Sequence, residues 1–432
     1  MNIFLILPHQ LFDIKYLDKK YNYILWEHPH YFKKYNYNKK KILLHHGSMR
    51  YYFDYLKSNK FNIKYFSFKE KIPKINNYYL FDPIDKIKLP GKYIFIDNPN
   101  FLLTSNIYEK YRKKTKKFFF NSFYMFSKRE LDIIPNVKSK DKYNRKSIPK
   151  NIKIPKLPSN KSDKKYINIG IKYVNKNFDN NYGNTENFSY PLTHKTANKW
   201  LDNFIKNKLK SFGNYQDAIV KEEDFLFHSV LSTSINIGLL NPSEIIKKIM
   251  KVKNKIPINS FEGYIRQLFW REYQRYCYIY YNFNNKNYFG NNKKIGKNWY
   301  EGTLKIEPVD DCIRDAFKNG YLHHIERLMI IGNYMNLSGI NPKEGHRWFM
   351  EFSCDSYEWV MAQNVYDMVF FVSGGKTMRR PYISSSNYIL KMSNYKKGEW
   401  SDIWNKKYKE FMKKNKKKLW KFRYYFPGLK NI

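Results

Sequence analysis

Residues whose types and spacing could do chemistry concentrate in the second half of the 432-residue chain. In Tyr264-Ile265-Arg266-Gln267-Leu268-Phe269-Trp270-Arg271, the i, i+3, i+7 spacing puts Tyr264, Gln267 and Arg271 on one helical stripe. Such a stripe suits a ligand with hydrogen-bonding edges, or a solvated face carrying one aromatic; the spacing leaves both open. His323 and His324 begin another helical stretch. Neighbours on a helix point about 100° apart, so they do not ligate one metal in the i, i+4 manner, and no metal site is expected. One histidine can pack while the other faces a cavity and moves protons near neutrality, or both are structural. Phe352 to Trp359 leads through Asn364 to Ser373-Gly374-Gly375-Lys376, whose paired glycines fit a tight turn. No Walker A, dinucleotide G-x-G-x-x-G or H-E-x-x-H pattern occurs, which removes ATPase and zinc hydrolase readings.

The elements that must hold these residues can be read from hydrophobic pattern. Apolar runs at Ile3 to Leu7, Tyr23 to Trp26, Lys41 to Leu44, Tyr79 to Phe81 and Tyr93 to Asp97 predict short strands, and Ser48 to Leu56 predicts a helix between them. This is a βαβ series with a parallel sheet, so residues 1–128 are expected to form an α/β domain. Residues 129–190 lose periodicity and read as a basic connector, with Lys138, Lys140, Lys142, Arg145 and Lys146. Residues 191–395 read as all-helical. Trp200, Leu201, Phe204, Leu209 and Phe212 keep a helical period up to a stop at Gly213, and further helices are predicted over Glu222 to Asn236, Phe261 to Tyr281 and Leu322 to Leu337. Residues 396–432 form a second basic block, whose removal should weaken polyanion binding and spare the rest.

Lys and Arg number 80 against 37 Asp and Glu, a net charge of +43. Codon drift in an AT-rich genome explains part of this excess, but not an aromatic fraction of 19%, too high for a disordered polycation. A folded, strongly basic protein attracts polyanions, nucleic acid first. Cys277, Cys312 and Cys354 are an odd set without a C-x-x-C pair, so neither a disulfide framework nor a zinc finger can be drawn. No apolar run reaches membrane length, and the opening run is too short for a signal peptide. Cytoplasm, nucleus or a virus factory are the expected locations, without secretion or membrane attachment, and the chain is expected to be a monomer.

Taken together, the segments Tyr190 to Ile219, Phe225 to Ile245, Phe261 to Tyr276, "YLHHIERLMIIGNYMNLSGINPKEGHRWF", "DSYEWVMAQNVYDM" and "RRPYISSSNYILKMSNY" resemble the photolyase-related branch of the photolyase/cryptochrome superfamily. Within it they are similar to the prokaryotic (6-4) photolyases that carry an iron-sulfur cluster. The resemblance extends to "LILPHQLF" near the start and "SKDKYNRKSIPK" in the connector. It implies a Rossmann-like α/β antenna domain and an all-helical domain that holds FAD beneath a DNA-binding cavity. UV-damaged DNA is the implied partner, with a possible antenna chromophore of unknown identity.

Carried over by position, the resemblance puts Ser232, Thr233 and Ser234 at the flavin pyrophosphate and Tyr264, Gln267 and Arg271 along the cofactor. Arg327 and Asp355 become a charged pair beside the flavin ring, with Met361 and Asn364 nearby. Trp270, Tyr382 and Tyr388 fall at the lesion side, His323 and His324 at the active-site histidine pair. Trp348 becomes the tryptophan proximal to the flavin and Trp299 a relay toward the surface. Two departures stand out. Of the four cluster cysteines only Cys312 has a counterpart, the C-x-x-C being Lys396-Lys397-Gly398-Glu399, so the iron-sulfur cluster is expected to be absent. The family's glutamate after "EWV" is Met361, which puts catalysis in doubt more than binding. The expected function is blue-light-driven repair by electron transfer from reduced FAD to UV photoproducts, with (6-4) lesions favoured, a deoxyribodipyrimidine photolyase-like lyase activity. A cryptochrome-like FAD photoreceptor without repair and a basic DNA-binding structural protein on a decayed photolyase fold are the alternatives.

Overall fold

A computed structural model describes residues 2–149 and 151–431; Lys150, the last residue of the connector motif, lies outside them. The N-terminal part is a five-stranded parallel sheet of β1 (Ile3–Ile6), β2 (Asn22–Trp26), β3 (Ile63–Phe66), β4 (Asn77–Phe81) and β5 (Lys92–Ile96) in the order β3-β2-β1-β4-β5. Central strands covered on both faces need continuous apolar runs, and Leu5, Ile6 and Leu25 are fully buried. At the β5 edge, Ile94 and Phe95 remain exposed.

Lys41 to Leu44, expected as a strand, lies inside the helix Lys39–Ser58. A short apolar run fits either state. Here Asn38 decides, its side chain accepting from the Lys40 amide as an N-cap, and the buried positions continue at helical spacing through Met49, Tyr52 and Leu56. β3 was not expected, because Lys64 interrupts its apolar pattern. At the C-terminal ends of β1 and β4, where the strand order reverses, open α/β sheets commonly keep a ligand crevice. In this chain Gln10 Nε2 donates to Phe81 O at 2.7 Å and both His9 and Gln10 are buried, so its own side chains fill the place.

The span 129–190 holds the helix Lys164–Asn177, which packs on the helix Lys39–Ser58. Gly170 permits the approach, since a Cβ there would lie 2.9 Å from Leu43 Cγ. The rest of the chain is helical. Gly213 does not stop a helix but lies within Leu209–Tyr215; a Cβ would meet Ser260 N at 2.6 Å, so glycine admits the long helix Ile258–Tyr280. Of Glu222 to Asn236 only Ser232–Asn236 is helical, the chain before it turning through positive φ at Leu226 and Val230. Leu322 to Leu337 becomes the π-helix Glu326–Gly332 followed by Asn333–Leu337. A second π-helix, Ala362–Val369, packs on it at Gly332, where a Cβ would lie 2.8 Å from Val369 Cγ1.

Residues 396–431 are not a solvated basic tail. Helix Glu399–Lys414 buries Trp400, Trp404, Phe411 and Met412, and beyond it Leu419, Phe422, Phe426 and Leu429 are buried as well. Lysines occupy its outer face while its apolar face closes the helical core.

Candidate functional site

The long helix, the two π-helices, the 216–232 loop and the connector enclose a cavity of about 580 Å³. That lies within the usual range for cofactor and ligand pockets, and π-helical turns recur at such sites. Its wall carries Tyr264 and Gln267 from the stripe, together with Ser232, Arg327, Asp355, Met361 and Asn364.

Arg327 faces Asp355 as a two-pronged pair, Nη1 to Oδ1 at 2.9 Å and Nη2 to Oδ2 at 3.3 Å. Ser232 Oγ donates to Asp355 Oδ2 at 2.7 Å. Burial alone would push the Asp355 carboxyl up, but Arg327 beside it and the Ser353 and Ser232 hydroxyls hold it below the ordinary carboxylate range. One helical turn presents Ser232, Thr233 and Ser234. Thr233 Oγ1 and Ser234 Oγ are buried without a hydrogen-bond partner although their neighbour Ser232 is satisfied. Neither lines the cavity, since successive helical residues point about 100° apart; of the three only Ser232 faces it, beside the ion pair, where a polar ligand edge would fit.

Arg271, from the same stripe, does not line the cavity. One turn further along, its guanidinium lies over Phe101 and Trp359, donating to Asn100 O at 2.7 Å and Asn236 Oδ1 at 3.0 Å. Gln274, two turns beyond Gln267, faces the cavity instead and donates to Asn364 Oδ1 at 2.9 Å.

His323 and His324 separate as adjacent helical residues should. His324 reaches the cavity, its Nε2 3.2 Å from Asp217 Oδ1. His323 is buried and stacks on His228, with ring centroids 4.6 Å apart at 12°. Its Nε2 lies 3.3 Å from Glu326 Oε1, a contact between neutral groups: burial pushes the carboxyl up to about 8 and the imidazole well below its ordinary value. A ring nitrogen from each of His228, His323 and His324 comes within 4.8 Å of the others. Stacked parallel rings aim their in-plane lone pairs side by side, so the trio does not converge on one ion.

Trp270, Tyr382 and Tyr388 line the cavity. One face of Trp270 is covered by Phe120, stacked at 3.7 Å and 6°. Trp348 is fully buried behind the cavity-lining Phe349, ring centroids 5.4 Å apart, and its Nε1 donates to Trp299 O at 2.7 Å. Trp299 is itself 3% exposed, and its aromatic neighbours continue through Tyr334 at 6.0 Å and from there to Trp404 at 5.0 Å, within the C-terminal helix.

Several lining residues escaped sequence reasoning. Asp141 and Arg145 come from the connector, which folds over the cavity: Asp141 Oδ1 accepts from Arg266 Nη2 at 2.6 Å. Gln216, Asp217, His228, Arg380 and Tyr425 line it as well. Their only sequence signal was polarity next to segments already singled out. As to iron, all three cysteines are buried free thiols, and beside Cys312 the Asp311 carboxylate accepts from the Tyr395 hydroxyl at 3.1 Å. The residues present do not offer a four-thiolate donor set.

Comparison with known proteins agrees with this architecture. The family of deoxyribodipyrimidine photo-lyase-related proteins matches residues 4–86 and 74–190. A (6-4) photolyase of Agrobacterium fabrum is 35% identical over 294 residues, 65% of this chain and 58% of that protein, so the match spans under two thirds of the relative's length. An uncharacterized protein of Acanthamoeba polyphaga mimivirus is 54% identical over 88 residues, 20% of this chain and 72% of its own. A bacterial class III photolyase from Agrobacterium tumefaciens superposes with a TM-score of 0.59 at 15% identity, over 95% of this chain and 86% of that one, which shows a shared fold. The N-terminal part thus matches the deoxyribodipyrimidine photo-lyase-related family, over less than half of the chain, and the chain as a whole is similar to the photolyase-related superfamily and shares the fold of a class III photolyase.

Proposed function

We propose that the cavity binds FAD and that the protein repairs UV photoproducts in DNA under blue light, (6-4) pyrimidine lesions foremost. The observation that carries this reading is the cavity wall: a buried Arg327–Asp355 pair with Ser232 donating to it, and the Tyr264 and Gln267 stripe. Bound FAD supplies light absorption and one-electron donation. Arg327, Asp355, Asn364 and Gln274 would orient its polar edges, and Ser232 its phosphates. Trp348, with Trp299 beyond it, would carry an electron inward, while Trp270, Tyr382 and Tyr388 offer flat surfaces to an extruded base. Arg271 would act at one remove, by fixing the Phe101 and Trp359 side of the long helix.

Proton movement falls to His324, which Asp217 orients at the cavity; His323, buried and neutral, positions that turn. His324→Ala should lower repair of (6-4) lesions by ~10²–10⁴-fold while FAD and DNA binding persist. Chromatography of irradiated lesion oligonucleotides measures it, and equal repair by the variant removes His324 from the chemistry.

A second reading, a cryptochrome-like photoreceptor without repair, is favoured by one observation: Met361 puts a buried thioether on the cavity wall where a proton-exchanging carboxyl is expected. Absence of repair by the flavin-loaded, reduced wild-type protein on (6-4) and cyclobutane lesions alike would select it. An iron-free protein is proposed in either case.

A further inference from the structure

The C-terminal segment leaves outside what its anchoring should hide. Leu419, Phe422, Phe426 and Leu429 are buried, Phe422 sits edge-on to Phe371 at 5.1 Å, and Lys421 Nζ donates to Gly374 O at 2.9 Å. Yet between these anchors Trp420, Tyr424 and Tyr425 stay 44%, 82% and 46% exposed. Among the described residues nine large apolar or aromatic side chains remain exposed, and three of them fall within these six positions, so the exposure is local rather than scattered.

Each exposed ring has an arginine against it. The Arg423 guanidinium is 5.5 Å from the Trp420 centroid and 4.8 Å from Tyr424, and Arg380 is 5.0 Å from Tyr425. Tyr425 and Arg380 also line the cavity, so the patch is continuous with the site. Upstream run Lys413, Lys414, Lys416, Lys417 and Lys418, with no acidic residue among them. Cationic charge alone would suit any polyanion. Flat rings interleaved with guanidinium groups suit one in particular, a strand whose bases are unstacked and whose phosphates lie alongside. An intact duplex keeps its base faces occupied and cannot use them.

We propose that Trp420, Arg423 and Tyr424, with Tyr425 and Arg380 at the rim, form a stacking platform for unpaired nucleobases of a DNA strand opened at the cavity. The proposal rests on the DNA reading above and adds that the C-terminal segment grips the opened strand. Its ligand class is single-stranded nucleic acid.

The test uses the full chain carrying Trp420→Ser and Tyr424→Ser, both outside the cavity lining, with thermal melting to verify the fold. Fluorescence anisotropy compares a short labelled oligothymidylate with an undamaged duplex of equal length at one salt concentration. The double variant should lose about tenfold or more in affinity for the single strand and keep duplex affinity within about twofold. Trp420→Phe with Tyr424→Phe should restore single-strand binding. Equal losses on both probes, or no loss on either, would overturn the platform while leaving duplex binding and the DNA reading intact. Wild-type protein that binds neither probe would overturn the DNA reading itself. A wild type that self-associates through these rings, with single-strand affinity unchanged in the variant, would assign the patch to a second copy and likewise overturn the proposal.

Discussion

Glu326 is a buried carboxyl whose protonation the fold controls. Burial raises it to about 8 from an ordinary 4.5, against the opposing pull of the His323 amide and Arg327. The folded state therefore holds this proton more tightly than the unfolded chain. The stability it contributes is complete below about pH 4.5 and is lost as pH rises through about 8. Asp85, also raised to about 8 chiefly by burial, acts in the same direction, whereas His9, lowered to about 3 chiefly by burial, contributes stability that fades on the acid side. Glu326→Gln should flatten the alkaline fall in melting temperature relative to wild type. Melting curves at pH 6 and pH 9 measure this, and parallel falls in both proteins would show that Glu326 is ionised already. His323, in contact with this carboxyl, is a poor base: burial first, and His324 beside it, disfavour its protonated form.

At the scale of elements, the C-terminal helix Glu399–Lys414 is a structural member. Trp404 is fully buried, its Nε1 donating to Ser384 O at 3.0 Å, and Ser384 lines the cavity. Truncation after Tyr395 should therefore lower solubility and cofactor retention together, contrary to what its lysine-rich sequence suggests. Trp404→Ala, the milder change, should cost about 3–5 kcal/mol; denaturant unfolding would show it, and an unchanged midpoint would mean that the helix is merely appended. Legibility followed the same division. Period and polarity made the Tyr264–Gln267 face readable, because a helix brings its own residues together. They could not place Arg271, whose stripe position is shared but whose depth along the helix meets Phe101 rather than the cavity. Lys41 to Leu44 misled because three successive apolar residues fit a strand or a helix equally, until the Asn38 cap decides. Asp141, Asp217, His228 and Tyr425 stayed hidden for a different reason: they share one cavity only because three distant segments cross there, and no local pattern encodes that crossing.

At the scale of the whole molecule, a net charge of +43 sits on a protein whose cavity rim carries Arg145 and Arg380. Phosphate contacts made by such groups release counterions, with a slope of about −0.9 per contact in log affinity against log salt. Duplex binding should be strong at low salt and fall steeply as salt rises; titrations at several salt concentrations yielding a flat line would reduce the charge to codon drift. Charge, however, brings DNA only to the surface. The central claim is that the cavity holds FAD, and its most direct test is the absorption spectrum of the purified chain together with chromatography of the cofactor released by heat. The account expects a yellow protein that releases FAD in near-stoichiometric amount. A colourless protein that takes up no added FAD would contradict it.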